Sequence, residues 1–246
     1  MSESTLRIGL VLPDVMGTYG DGGNALVLRQ RARMRGIDAE IVPITLDDDV
    51  PDSLDVYTLG GAEDFAQRLA TRHLLEHPGM QRAAAAGRPV LAICAAIQVL
   101  GHWYLTAAGE KVEGVGLFDA TTSPMEARAI GELVTDPLLD GLTQPLTGFE
   151  NHRGATTLGP DARPLGRVRH GTGNGAPFGS TQESAGEAVE GVIQGSVLGT
   201  YMHGPLLARN PELADHLLAA ATGRILEPLD LPEIDLLRRE RIAAAR

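Results

Sequence analysis

Short apolar runs alternate with helix-like segments through the first half of the chain. Four runs share an abundance of branched apolar residues and end at turn-forming or small residues, which is typical of buried strands. These runs are 6–12, 37–44, 55–59 and 88–93. Three segments between or after them carry apolar positions at helical spacing. These segments are 24–35, 62–77 and 95–104. The alternation predicts an α/β fold with a mainly parallel central sheet flanked by helices.

The second half of the chain has a different pattern. Residues 109–199 are dense in Gly, Pro, Thr and Asn and show little helical period, which predicts antiparallel strands and long loops added to the same sheet. A helix is expected after Asn210-Pro211, and a charged amphipathic segment closes the chain. We therefore expect one flavodoxin-like domain over residues 1–229 and an amphipathic helical tail over residues 230–246.

Composition narrows the possible partners and compartment. The 246 residues are 43% hydrophobic and 22% charged, with a formal net charge of −11, so a phosphate-binding nucleic-acid partner is not expected. The one cysteine excludes an internal disulfide and a structural zinc site of paired cysteines, which favours a reducing cytoplasm. The start of the chain lacks a basic, long apolar leader, so neither secretion nor membrane insertion is expected.

Cys94 is the first candidate for chemistry. It lies where a predicted strand gives way to a predicted helix, between small residues in Ala92-Ile93-Cys94-Ala95-Ala96. A thiol on such a tight strand-to-helix turn is exposed to the helix N–H groups, which stabilise a thiolate. A lone cysteine is also often just a small buried apolar residue.

His203 is the candidate partner of Cys94. It ends the apolar segment 197–202 and precedes Gly204-Pro205, so it is expected at the end of a strand. The carboxyl ends of parallel strands share one edge of a sheet, where distant residues meet. The alternative is a histidine in a surface loop.

Further candidates concern the substrate. Gly60 and Gly61 follow a predicted strand, and their N–H groups together with that of Ala95 would form an oxyanion hole. A plain turn is the alternative for the glycine pair. Arg128 is isolated in a small and apolar stretch, where its guanidinium would clamp a substrate carboxylate or simply be solvated. Phosphate-binding loop motifs are absent from the sequence.

Several separated segments form an ordered set that matches a known family. Beside Cys94, Gln98 and Gly101, the set comprises Tyr19-Gly-Asp-Gly-Gly-Asn-Ala-Leu26, Gly148-Phe-Glu-Asn-His-Arg-Gly154, Gly173-Asn-Gly175 and Gly199-Thr-Tyr-Met-His-Gly-Pro-Leu-Leu207 through Asn210-Pro-Glu-Leu-Ala-Asp215. With these segments the chain resembles the class I, or triad, glutamine amidotransferases, specifically the cobyric-acid-synthase-like branch. Within it, the resemblance is closest to the glutaminase subunits (GatD type) of lipid II isoglutaminyl synthases.

The resemblance implies a glutaminase that releases ammonia from L-glutamine for a Mur-ligase-like (MurT-type) partner in a heterodimer. That partner would use ATP and magnesium to amidate the α-carboxylate of D-glutamate in membrane-bound lipid II, giving D-isoglutamine for peptidoglycan. No cofactor or metal is implied in this chain. The resemblance assigns Cys94 as nucleophile, His203 as general base and later acid, and Arg128 as the clamp on the glutamine α-carboxylate.

The chain departs from the wider family in two places. Many class I members have His-x-Glu, whereas His203 is followed by Gly204-Pro205, so a Cys–His dyad or a third member elsewhere is expected. Residues 95–97 are Ala-Ala-Ile where the family usually has Gly-Gly-Tyr, which implies reduced or partner-dependent activity. Two alternatives therefore stay open: a catalytically silent scaffold for the ligase, and an ammonia donor to a cobyric-acid-type synthetase.

Overall fold

The computed structural model describes residues 5–179 and 187–245 of the chain. Its elements in chain order are β1 (Leu6–Val11), α1 (Gly23–Arg33), β2 (Ala39–Ile44), β3 (Val56–Leu59), α2 (Asp64–Glu76), α3 (Gly79–Ala85), β4 (Val90–Ile93), α4 (Ala95–Leu100), β5 (Trp103–Leu105), β6 (Lys111–Glu113), β7 (Ala120–Pro137), β8 (Leu146–Leu158), β9 (Gly166–His170), β10 (Val189–Glu190), β11 (Val192–Gln194), β12 (Val197–Thr200), β13 (Met202–His203), α5 (Leu206–Arg209), α6 (Pro211–Thr222) and α7 (Pro232–Ala244).

A six-stranded sheet forms the centre of the fold, with the order β11-β12-β4-β3-β1-β2. All neighbouring strands in it run parallel except β11, which is antiparallel to β12. Every residue of β3, β4 and β12 is buried, as expected for short apolar strands covered on both faces. The predicted α/β class with a mainly parallel sheet is confirmed.

The remaining strands form a second sheet. Its order is β10-β9-β7-β5-β6, and β8 pairs with β7 on one side and with β13 on the other. The prediction that these strands extend the first sheet is therefore wrong, except for β11 and β12. The long β7–β8 pairing, with a register shift between Pro124 and Ala129, is rich in Thr, Gly and charged residues, so its strands lack a simple alternation of apolar and polar positions.

The helix predicted over residues 95–104 is shorter than expected. It ends at Leu100, and the chain then turns into β5. A Cβ atom on Gly101 would lie 2.7 Å from the carbonyl oxygen of Ala120, so the backbones approach too closely for any other residue. This close approach brings the end of helix α4 next to the first residue of β7, which belongs to the second sheet.

The tail predicted from residue 230 contains helix α7, which packs against α5, β7 and β8. Arg238 on α7 is buried and donates hydrogen bonds to the carbonyl oxygens of Arg209 and Pro145 and to Asn210 Oδ1. The boundary at residue 229 remains a prediction. Among the helices of the described ranges, none is both long and apolar enough to cross a membrane.

Candidate active site

Cys94 occupies a strained turn between β4 and α4. Its backbone angles are φ 55° and ψ −111°, in a region that residues with a side chain rarely adopt. The turn is held because the Cys94 N–H donates to the Thr200 carbonyl oxygen at 2.7 Å and because Ala95 and Ala96 are small and fully packed. The sequence therefore builds the elbow that was expected at this position.

His203 ends β13, where it pairs with Phe149 of β8. The imidazole is buried, and its Nδ1 atom lies 3.0 and 3.2 Å from the two carboxylate oxygens of Asp21. The other ring nitrogen, Nε2, has no hydrogen-bond partner among the described residues. The pairing with Asp21 leaves Nε2 as the ring nitrogen available for acid–base chemistry.

Cys94 and His203 converge beside Gly61. A Cβ atom built on Gly61 would lie 3.2 Å from His203 Cε1, 3.4 Å from Cys94 Cβ and 3.4 Å from Asp21 Oδ2. The three side chains thus surround one point at the carboxyl edge of the central sheet. Two residues separated by more than a hundred positions in sequence are brought together as the strand-end argument predicted.

Asp21 is the functional candidate that the sequence reasoning did not find. It lies in the glycine-rich loop after β1, is 2% exposed, and also accepts a hydrogen bond from the Gly61 N–H at 2.9 Å. The third member expected elsewhere in the chain therefore has a structural counterpart. The signal in the sequence was its position: β1 is adjacent to β3 in the sheet, so a carboxylate after β1 reaches the same edge.

The electrostatics of the site favour a charged imidazole. Burial alone lowers the pKa of His203, but hydrogen bonding to Asp21 and the interaction with Cys94 outweigh it and raise the pKa to about 10. The ring next to the sulfur can donate and accept protons during chemistry at that atom. A thiol, an imidazole and a carboxylate in this arrangement can support nucleophilic chemistry, with the imidazole as acid–base partner and the carboxylate orienting it.

The predicted oxyanion hole needs a correction at Gly61. Its N–H donates to Asp21 Oδ2, so this donor serves the carboxylate and is not open to a substrate oxygen. Gly60 is required by packing, since a Cβ there would overlap the carbonyl oxygen of Met16. Ala95 begins α4, and its N–H therefore has no partner within the helix, so its assignment stays a prediction.

A cavity of about 920 Å³ opens at the elbow. Cys94 and Ala95 line it together with Arg128, which the register shift in β7 places on its wall. The Arg128 guanidinium donates to Asn151 Oδ1 at 2.7 Å. Arg128 is exposed, so further N–H groups of its guanidinium are available to a carboxylate. The structure thus brings Arg128 and Cys94 to one cavity.

A buried polar network that the sequence reasoning missed adjoins the cavity through Thr122 and His152, which line it. The Tyr201 hydroxyl lies 2.6 Å from Thr156 Oγ1, which lies 3.0 Å from Thr122 Oγ1. The Tyr201 ring stacks on His152 with centroids 3.8 Å apart. Burial raises the pKa of Tyr201, so its hydroxyl stays protonated and can both donate and accept hydrogen bonds. Tyr201 precedes His203 by two positions, so the network also fixes the strand that carries the histidine.

The comparisons with known proteins agree with this geometry. The model of the CobB/CobQ-like glutamine amidotransferase domain matches residues 7–211. Lipid II isoglutaminyl synthase (glutamine-hydrolyzing) subunit GatD of Staphylococcus aureus (strain N315) is 36% identical over 94% of this chain and 90% of its own length. The same subunit of Streptococcus pneumoniae (strain ATCC BAA-255 / R6) is 33% identical over 97% of this chain and 89% of its own.

More distant matches share the fold or part of the chain. The cobyric acid synthase of Sphingopyxis alaskensis (strain DSM 13593 / LMG 18877 / RB2256) is 33% identical, but the match covers 54% of this chain and 24% of that protein. The solved glutaminase domain of Trypanosoma brucei CTPS with bound acivicin has a TM-score of 0.54 at 11% identity, and the match covers 91% of this chain and 96% of that one. By its family match and its relatives, the chain belongs to the CobB/CobQ-like glutamine amidotransferases.

Proposed function

We propose that this protein is the glutamine-hydrolysing subunit of a lipid II isoglutaminyl synthase, with Cys94 as the nucleophile. The observation that carries the proposal is the convergence of Cys94, His203 and Asp21 at a cavity whose wall holds Arg128. The near full-length similarity to two GatD subunits supports the same reading.

The first half of the reaction releases ammonia. The Cys94 thiolate attacks the side-chain amide carbon of glutamine, and the amide oxygen takes the negative charge of the tetrahedral intermediate. The Ala95 N–H is the donor that we assign to that oxygen. His203 then gives its Nε2 proton to the amide nitrogen, the carbon–nitrogen bond breaks, ammonia leaves, and a γ-glutamyl thioester remains on Cys94.

The second half restores the enzyme. His203, now neutral, takes a proton from water while the water oxygen attacks the thioester carbonyl carbon. The carbon–sulfur bond breaks, glutamate is released, and Cys94 and His203 return to the thiolate and imidazolium forms. Asp21 acts throughout by accepting the Nδ1–H hydrogen bond, which keeps the ring in the tautomer that presents Nε2 to the reaction.

The ammonia is passed to a separate subunit in this proposal. A Mur-ligase-like partner, using ATP and magnesium, would activate the α-carboxylate of D-glutamate in lipid II and convert it to D-isoglutamine during cell wall biogenesis. The support is the name that the two relatives carry and the coverage of almost their whole length. The heterodimer would work at the cytoplasmic face of the membrane.

The two alternatives have less support. A silent scaffold was suggested by the alanines at the elbow, but these residues fit the strained turn, and Cys94 keeps the required conformation with them in place. An ammonia donor to a cobyric-acid-type synthetase is favoured less because the matched cobyric acid synthase covers only 54% of this chain.

Glutamate release by the wild-type chain and by Cys94→Ala, each with and without the co-expressed ligase subunit, tests the proposal. We expect release from the wild type, with the larger rate in the complex, and none above background from Cys94→Ala. Equal release by the two proteins under both conditions would support the scaffold alternative. Amidation of cobyrinic acid derivatives instead of lipid II would support the cobyric-acid alternative.

A further inference from the structure

Acidic and basic side chains line the cavity, and they differ in their hydrogen-bond partners. Two of its charged residues are occupied by backbone groups: Arg153 donates to the Met125 carbonyl oxygen, and Asp64 Oδ2 accepts from the Ala107 N–H at 2.8 Å. Glu63 instead accepts a hydrogen bond from the side chain of Tyr19, which also lines the cavity. Within the described ranges, the Glu63 carboxylate therefore accepts a hydrogen bond from a side chain and not from a backbone N–H group.

Tyr19 connects Glu63 with Arg128. The Tyr19 hydroxyl donates to Glu63 Oε1 at 2.9 Å. Burial and the Glu63 carboxylate raise the pKa of Tyr19, while the nearby Arg128 guanidinium lowers it, so both charges lie close to the same hydroxyl. The Glu63 carboxylate and the Arg128 guanidinium thus lie near one neutral hydroxyl in the same cavity.

Such a pair of charges matches the head group of an α-amino acid. An α-amino acid carries an ammonium and a carboxylate on one carbon atom, so its binding site needs an acceptor and a cation at close but separate positions. Arg128 offers a planar fork for the carboxylate, and Glu63 offers oxygens for the ammonium. A fully formed Glu63–Arg128 ion pair would have to be broken by the substrate, whereas Glu63 accepts a hydrogen bond from a neutral hydroxyl, which avoids that cost.

We propose that Glu63, held in place by Tyr19, binds the α-ammonium group of glutamine and makes the site selective for amides that carry an α-amino group. The inference rests on the proposed function and extends it by one specificity-determining residue and one positioning residue.

The position of Tyr19 relates head-group binding to the reacting atoms. Its ring centroid lies 4.9 Å from that of His203, and it shares the glycine-rich loop with Asp21. The Tyr19 ring thus lies near the histidine while its hydroxyl holds Glu63, and with the head group anchored at Glu63 and Arg128 the amide end of the side chain would extend toward Cys94 in the same cavity.

The test compares L-glutamine with 5-amino-5-oxopentanoate, which is glutamine without its amino group. Hydrolysis of both is measured with the full chain in its ligase complex, for wild type, Glu63→Gln, Glu63→Asp and Tyr19→Phe. Glu126→Gln is the matched control, since Glu126, like Glu63, is an exposed glutamate that lines the cavity. Labelling of Cys94 by 6-diazo-5-oxo-L-norleucine and by its analogue without the amino group is a second readout that needs no turnover.

We expect Glu63→Gln to raise KM for glutamine by about 10- to 100-fold, the effect of one lost hydrogen bond to a charged group, with little change in kcat. KM for the substrate without the amino group stays the same, so the preference for glutamine collapses. Glu63→Asp keeps part of that preference, and Tyr19→Phe lowers it less than Glu63→Gln does.

Three results would overturn the inference while leaving the proposed function intact. They are an unchanged preference in Glu63→Gln, an equal loss on both substrates, and a collapse of preference in Glu126→Gln instead. A wild-type complex that neither hydrolyses glutamine nor is labelled at Cys94 would overturn the proposed function, and this inference with it.

Discussion

Replacing Asp21 by Asn is the sharpest probe of the catalytic geometry. Asn keeps the size of the side chain, and its amide oxygen can still accept the Gly61 N–H, so the loop and turn are retained. The amide NH₂ group, however, now faces His203 Nδ1 in place of a carboxylate oxygen. The neutral ring then prefers the tautomer with its hydrogen on Nε2, which cannot act as the base.

The size of the effect follows from the bond that is lost. A hydrogen bond to a charged group is worth about 1.5–3 kcal/mol, and about 1.4 kcal/mol corresponds to one pKa unit. We therefore expect the pKa of His203 to fall by about 1–2 units from its value of about 10. In hydrolytic triads the equivalent change lowers kcat by about 10⁴, and we expect a loss of about 10²–10⁴ here.

The same substitution has a predicted effect on stability with a defined sign. The pKa of His203 in the folded chain lies above its ordinary value of 6.5, so protonation of His203 stabilises the fold. This contribution is fully present below about pH 6.5 and is lost as the pH rises toward about 10. The wild type should therefore exceed Asp21→Asn in stability most at low pH, and the difference should shrink as the pH rises.

Three measurements check this prediction. Glutamate release against pH gives the loss in kcat, and NMR titration of the His203 ring nitrogens gives the pKa and the tautomer. Urea unfolding at several pH values gives the stability difference. If Asp21→Asn retained wild-type kcat together with an unchanged His203 pKa, the assignment of Asp21 as the orienting carboxylate would be refuted.

Three further substitutions test other parts of the structure. Arg128→Lys removes the planar fork, so we expect KM for glutamine to rise by about tenfold with kcat little changed, as measured by glutamate release. Burial raises the pKa of Glu190 from 4.5 to about 7, so wild-type stability falls across that pH range. Glu190→Gln should lack this fall and gain up to about 3 kcal/mol on the wild type between about pH 4.5 and pH 7 in urea unfolding, and a constant difference would contradict the assignment. Arg238→Met leaves the Arg209 and Pro145 carbonyl oxygens without their donor, which should cost about 1–3 kcal/mol and increase amide exchange in α7.

The central sheet was predictable because its signals are local. Each parallel strand is a short apolar run ended by turn residues, and burial on both faces demands that composition wherever the strand pairs. Cys94 and His203 follow two such strands, so their proximity could be deduced without a contact map. The observed bounds differ from the predicted ones mainly at the ends of elements.

The second sheet was not predictable by the same means. Strands β7 and β8 pair across a loop and include a register shift, and their Thr-, Gly- and charge-rich faces show no alternation that specifies a partner. The early end of α4 was also missed, because the helix stops where Gly101 meets Ala120, a contact between segments distant in sequence. Both errors concern non-local packing.

The features of the site also divide into those that follow from neighbouring residues and those that depend on contacts distant in sequence. The turn at Cys94 follows from residues next to it, whereas the role of Asp21 depends on its approach to His203 across 182 positions. The assignment of Gly61 as an open N–H donor failed for that reason, since the donor is taken by the same distant carboxylate. A pair of glycines indicates a turn, but it does not show which acceptor will receive a hydrogen bond from the backbone N–H groups of that turn.

The most direct test of the account is to trap the covalent intermediate. The ligase complex is mixed with glutamine, quenched in acid within the first turnovers, and the Cys94 peptide is analysed by mass spectrometry. We predict a γ-glutamyl adduct on Cys94 that is absent from Cys94→Ala and decays as glutamate appears. Steady glutamate release with an unmodified Cys94 peptide at every quench time, and full activity in Cys94→Ala, would contradict the account.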